Sequence, residues 1–139
     1  MALFASFTML LNFPRHNQMN GMGQIVSCSV RDESLHCEGI IKLFHEWHRE
    51  TGAVTRSVRN DIIDVAKTMM KLEENFVDVA FGLGKIEGMR AEQIHAYVRY
   101  VADWRLTQLG IAQVFGFFEA RESGFIQLRP IPCHGWSRS

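Results

Sequence analysis

The sequence pattern best suited to chemistry is a glutamate and a histidine three positions apart, Glu33 and His36. On an α-helix, residues with this spacing project from the same side, so that a carboxylate and an imidazole can reach one ion. A carboxylate on a buried stripe is costly unless it is neutralised, ion-paired or bound to a metal. The pair is therefore a candidate half of a metal site. The alternative is that the two side chains satisfy each other and a neighbouring basic group.

The element that must position this pair is a long helix, predicted over residues 24–50 and closed by Gly52 as a C-cap. A helical projection at about 100° per residue places Glu33 and His36 in the middle of an apolar face. The other members of that face are Ile25, Val26, Val30, Ile40, Leu43, Phe44 and Trp47. We therefore expect Glu33 and His36 to be buried in the core.

Three further helices are predicted by apolar periodicity and by Gly and Pro punctuation, over residues 2–13, 57–81 and 91–109. Residues 15–23 read as a connection, because they are rich in turn-forming residues. Glu73 falls on the apolar face of the helix predicted over residues 57–81, and Arg105 falls on that of the helix predicted over residues 91–109. A buried acid and a buried base invite pairing, so we predict a Glu73–Arg105 ion pair in the core.

Other acidic and histidine pairs have simpler explanations. Glu92 and His95 repeat the Glu-x-x-His spacing, but Glu92 lies in the first turn of its helix, where the helix dipole favours a carboxylate. Glu74 and Asp78 are one turn apart and lie toward the outer face. Surface charge is the better interpretation of both pairs.

Composition describes one globular domain. The 139 residues are 47% hydrophobic and 22% charged, with a formal net charge of zero. This balance argues against a nucleic-acid partner or an anionic membrane, since both favour a basic surface. The three cysteines lack the spacing of a zinc site or a disulfide framework, which fits a reducing cytoplasm.

Several separated motifs carry a family resemblance, which covers about residues 2–110. They are LLNFPRHNQMNGMGQIVSCSVRDESLHCEGIIKLFHEWHRETG, LEENFVDVAFGLG and YVRYVADWRLTQLG. Together they resemble the small, radical-generating β subunit of ribonucleotide reductase. The resemblance implies a ferritin-like bundle that holds two iron or manganese ions. Two of its helices each supply a Glu-x-x-His pair, and two others each supply a single carboxylate. It also implies an oxidoreductase that supplies the oxidant for deoxyribonucleotide synthesis together with a large subunit.

By the same resemblance, individual residues acquire roles. Glu33 and His36 correspond to the second Glu-x-x-His of the family, as metal ligands. Asp32 corresponds to a carboxylate that orients a ligand histidine and takes part in radical transfer. Leu3 and Phe7 correspond to the apolar pocket that shields the tyrosyl radical.

Departures from the family pattern shape the remaining expectations. The first half of the family bundle, with its own ligands and the radical tyrosine, has no counterpart here, and residues 111–139 leave the pattern as an irregular tail. We therefore expect a fragment that is all-α, a ferritin-like half-bundle of about four helices over residues 1–110, inactive alone and completed by homodimerisation. The alternative is a non-catalytic helical assembly module or a ferritin-like metal-binding dimer.

Overall fold

The structure, a computed structural model, describes residues 4–116. Within that range the chain forms α-helices and no strand, as expected for an all-α half-bundle. The helices are α1 (Phe4–Leu10), α2 (Asn12–Arg15), α3 (Asn20–Thr51), α4 (Arg56–Leu83) and α5 (Ala91–Gln108). In this part of the chain no helix is both long and apolar enough to cross a membrane.

The first predicted helix is divided into two. α1 ends at Leu10 and the four-residue α2 follows, with Pro14 inside it. Proline is tolerated there because the backbone N–H groups of a first helical turn have no intrahelical partner in any case. The prediction that helix ends before Pro14 is therefore wrong, because α2 continues through Pro14 to Arg15.

The long central helix begins earlier than the sequence pattern indicates. α3 has 32 residues and starts at Asn20, after Met19 in the left-handed region, so the predicted connection is shortened to four residues. Gly23 permits this, because a Cβ at that position would overlap the ring of Pro14. At its other end Gly52 adopts φ 63° and donates its N–H to the His48 carbonyl, which confirms the predicted C-cap.

α4 and α5 pack as an antiparallel pair. A hydrogen bond and an ion pair join them: His95 Nε2 lies 2.9 Å from Asp78 Oδ1, and Arg99 Nη2 lies 2.6 Å from Glu74 Oε1. The pair buries the main core together with α1, and its fully packed members are Ala5, Met9, Met70, Val77, Ile94, Val98 and Ala102. A smaller cluster of Ala66, Leu106 and Ile111 closes the far end.

α3 runs alongside α5 in the same direction. Near its start, Gly23 contacts α2, and α2 is tied to the segment before α5 by the Asn12 Nδ2 hydrogen bond to the Glu87 carbonyl at 2.8 Å. Near its end, His45 Nε2 lies 2.7 Å from the Gln108 carbonyl at the C-terminus of α5. α3 is therefore antiparallel to α4, and a long stretch of it lies clear of the core.

Residues 111–116 continue from α5 without helix and fold back on it. Asp103, fully buried, accepts hydrogen bonds at Oδ1 from the backbone N–H groups of Val114 at 2.7 Å and Phe115 at 2.9 Å. Ile111 is buried, and Phe115 packs against both apolar clusters. The division at residue 110 remains a prediction, since residues 117–139 lie outside the described range.

Candidate metal centre

Glu33 and His36 lie side by side near the middle of α3. His36 Nδ1 is 3.9 Å from Glu33 Oε2, and the side chains are 69% and 48% exposed, respectively. That separation is too long for a hydrogen bond. Two donor atoms that each bind one ion at about 2.1 Å lie about 3 to 4 Å apart, so the observed spacing matches two ligands of a common ion.

The apolar face that carries this pair is exposed, not buried as expected from the projection. Ile25 is 69% exposed, Ile40 66%, Leu43 68% and Trp47 44%. Only Val26 and Val30, at the margin of this face, are buried. The helical projection is therefore correct about which residues share a face, and wrong about what covers it within one chain. We call the four exposed residues, with Glu33 and His36, the α3 face.

The described part of one chain does not complete a coordination sphere. Within residues 4–116 no group of three or more His, Cys, Asp or Glu side chains is placed to hold a metal ion. Asp32 is exposed beside the pair and, in the described part of the chain, forms no hydrogen bond to His36. A carboxylate and an imidazole suit iron or manganese in donor type, but two protein ligands are fewer than such ions take. Among the described residues, Glu33 and His36 are thus a candidate half-site.

The residues assigned to a radical pocket are not brought to the α3 face by any described contact. Phe7 is half-buried in α1. Leu3 lies outside the described residues. Both assignments stay predictions from the resemblance.

The predicted ion pair in the core is not formed. Glu73 is 4% exposed and Arg105 is 8% exposed, so both are buried as expected. Glu73 Oε2 instead accepts the Ala5 N–H at 3.3 Å, and Arg105 Nη1 donates to Gln108 Oε1 at 2.9 Å. The reason is the register of α4 and α5, which sets Glu73 level with about residue 100 and leaves Arg105 about 7 Å farther along the axis.

Burial of the Glu73 side chain disfavours its ionised form. Burial raises its pKa above the usual 4.5, with the Ala5 N–H opposing the shift, and its Oε1 has no hydrogen-bond partner among residues 4–116. The unfolded chain therefore binds fewer protons than the folded chain between pH 4.5 and the raised pKa. The free energy of unfolding must fall as the pH rises through that window.

We expect Glu73→Gln to remove this loss. The amide can still accept the Ala5 N–H and carries no charge, so the melting temperature should exceed that of the wild type by a few degrees at pH 8. The gain should shrink as the pH falls through this window and vanish below pH 4.5, where the carboxyl becomes protonated in both states. Thermal denaturation between pH 4.5 and 8 measures it. The exposed Glu50→Gln is the control. An equal gain at all pH values would contradict the expectation.

Two features escaped sequence reasoning. Glu74 and Asp78 are surface charges as predicted, but sequence reasoning missed their pairing with Arg99 and His95 of α5, whose side chains were the available signal. The role of Asp103 depends on a turn that has no periodicity to reveal it.

Fold and site together define a class: a long-helix, all-α half-bundle that exposes one Glu-x-x-His pair on an apolar face. Comparison with known proteins makes this specific. Residues 1–120 match the family model described as ribonucleotide reductase, small chain. The chain belongs to the ribonucleotide reductase small-chain family.

Individual relatives agree. A probable ribonucleoside-diphosphate reductase small subunit of Invertebrate iridescent virus 3 is 35% identical over 84% of this chain and 32% of its own length. Its counterpart in Invertebrate iridescent virus 6 is 35% identical over 83% of this chain and 38% of its own length. The ribonucleoside-diphosphate reductase subunit beta of Chlamydia pneumoniae is 29% identical over 81% and 32%. The chain therefore spans about a third of the length of these relatives.

Proposed function

We propose that this chain acts in deoxyribonucleotide synthesis as part of a ribonucleoside-diphosphate reductase small subunit, holding iron or manganese through Glu33 and His36. The carrying observation is the 3.9 Å spacing of His36 Nδ1 and Glu33 Oε2 on an exposed helix face. When bound, the metal would supply the oxidant for ribonucleotide reduction. The share of this chain is to present one carboxylate and one imidazole at a fixed distance, with Asp32 as the carboxylate beside them.

The remaining ligands must come from another surface, and the proposed source is a second copy of the chain. A dyad that passes midway between residues 33 and 36 would relate two antiparallel α3 helices and place Glu33 of each copy opposite His36 of the other. Such a contact would bring two glutamates and two histidines together. Four such donors would complete a sphere that residues 4–116 of one chain do not. Ile25, Ile40 and Leu43 flank the pair and would be removed from water in the same contact. A large subunit is the further partner of the proposed enzyme.

Metal analysis combined with light scattering tests this proposal. The purified chain, loaded anaerobically with Fe(II) or Mn(II) and desalted, should elute as a dimer that carries one or two ions. A dimer without metal would favour the alternative of a non-catalytic assembly module, for which the exposed apolar faces are the supporting observation. A monomer without metal would overturn both.

A further inference from the structure

A second apolar face, on α4, is separate from the candidate metal centre. It consists of residues spaced alternately four and three apart along the whole helix: Val58, Ile62, Val65, Met69, Leu72, Phe76, Val79 and Leu83. We call this set the α4 seam. Ala66, Met70 and Val77, which pack toward α5, lie on a neighbouring side of the helix, and Ile62 at the edge of the seam packs partly against Ala66 and Leu106. α4 is therefore apolar on two sides, and only one is covered in the described structure.

The exposure of the seam is large for a water-facing surface. Val65 is 63% exposed, Leu72 57%, Phe76 47%, Val79 63% and Leu83 86%. These five side chains offer on the order of 500 Å² of apolar surface, at the upper end for a patch on a monomer. Two seams in contact would bury about 1,000 Å², which reaches the lower bound for a specific protein interface.

The spacing identifies the occupant as an α-helix. A repeat of 3.5 residues keeps one line of side chains facing a helix that packs at a shallow crossing angle. We infer that the α4 seam pairs with the α4 seam of a second copy of this chain, in antiparallel orientation. This inference rests on the homodimer proposed above but not on its metal.

Self-pairing satisfies the seam without a charge conflict. In the antiparallel register that centres the contact, Met69 faces Leu72 of the second copy and Val65 faces Phe76, so every layer is apolar. At the open flank, Thr68 lies opposite Asn75 of the second copy, and Asp61 opposite Gly82. No like charges meet at this flank, and antiparallel helix dipoles attract.

The position of the seam along the molecule matches the candidate metal centre. His45 on α3 and Arg59 on α4 both reach the C-terminal end of α5, at the carbonyls of Gln108 and Gly110. Glu33 and His36 lie about 16 Å back along α3 from this level, and the centre of the seam lies about 17 Å along α4 from it. The two centres therefore lie at nearly the same level, as a single dyad that relates both α3 and α4 to their copies requires.

Disulfide trapping tests the seam directly. In a background with Cys28, Cys37 and Cys133 replaced by serine, the double variant Thr68→Cys/Asn75→Cys should form a covalent dimer on mild oxidation. Each single variant should form at least about tenfold less, because like positions are separated along the antiparallel axis. Equal yields from the single and double variants, or no covalent dimer from any, would overturn the seam.

A charge variant supplies the second readout. Leu72→Lys should weaken dimerisation about 100-fold by analytical ultracentrifugation, while its helicity stays unchanged because the side chain is exposed. Leu35→Lys, also at an exposed leucine but off both faces, is the matched control and should dimerise like the wild type. A dimer that survives Leu72→Lys but is lost in Ile40→Lys would overturn the seam and leave the α3 contact standing. Metal binding is scored separately, so its loss does not bear on the seam.

Discussion

Glu33→Gln should lower the affinity for Mn(II) or Fe(II) by about 100-fold, and His36→Ala by at least as much. In the proposed site, each variant removes one of the two donors that a chain contributes, and in the proposed symmetric dimer each substitution removes two. Loss of a group that only hydrogen-bonds to a metal ligand already lowers metal affinity about 10- to 100-fold. Loss of a ligand itself should therefore have an effect at or above the upper end of that range. Titration followed by the Mn(II) electron paramagnetic resonance signal measures the change.

The chain offers a matched control for this experiment. Glu92 and His95 have the same spacing, but His95 Nε2 already lies 2.9 Å from Asp78 Oδ1. Glu92→Gln should leave metal affinity within about twofold of the wild type. Because Glu33 and His36 are exposed, their variants should keep the helicity and melting temperature of the parent. If Glu33→Gln and Glu92→Gln bind metal equally, Glu33 is not a ligand.

Asp103→Ala should destabilise the chain by about 3 kcal/mol. The substitution removes the buried carboxylate oxygen that accepts two hydrogen bonds from backbone N–H groups, and bonds to charged groups contribute about 1.5 to 3 kcal/mol each. It also releases the segment that carries Ile111 and Phe115 over the core. For a domain of this size the melting temperature should fall by about 10 °C, which calorimetry measures.

Two further variants separate this role from a general effect of charge. Asp103→Asn keeps an acceptor oxygen and should lose less than half as much stability. Asp64→Ala removes an exposed aspartate 3.8 Å from Lys67 and should cost no more than about 0.5 kcal/mol. Similar melting temperatures for Asp103→Ala and Asp64→Ala would contradict the assigned role.

Much of the local structure follows from the sequence. Periodicity and glycine punctuation predict three long helices, and their observed bounds differ from the predicted ones by at most four residues. The placement of Glu33 and His36 on one face depends only on the 3.6-residue repeat, so it too was available from the sequence. The family resemblance rests on residue identities and needed no coordinates.

Tertiary structure alone decided what each face meets. The sequence predicted burial for both Glu73 and Ile40, yet Glu73 is enclosed by α1 and α5 while Ile40 is exposed to solvent. The reason is that an apolar stripe on a helix does not specify which element packs against it. The Glu73–Arg105 pair failed for a related reason: two buried charges of opposite sign meet only if the helix register brings them level. By itself the sequence determined that a carboxylate and an imidazole share a helix face, since that follows from local geometry. The structure decided that this face is open, since that depends on long-range packing.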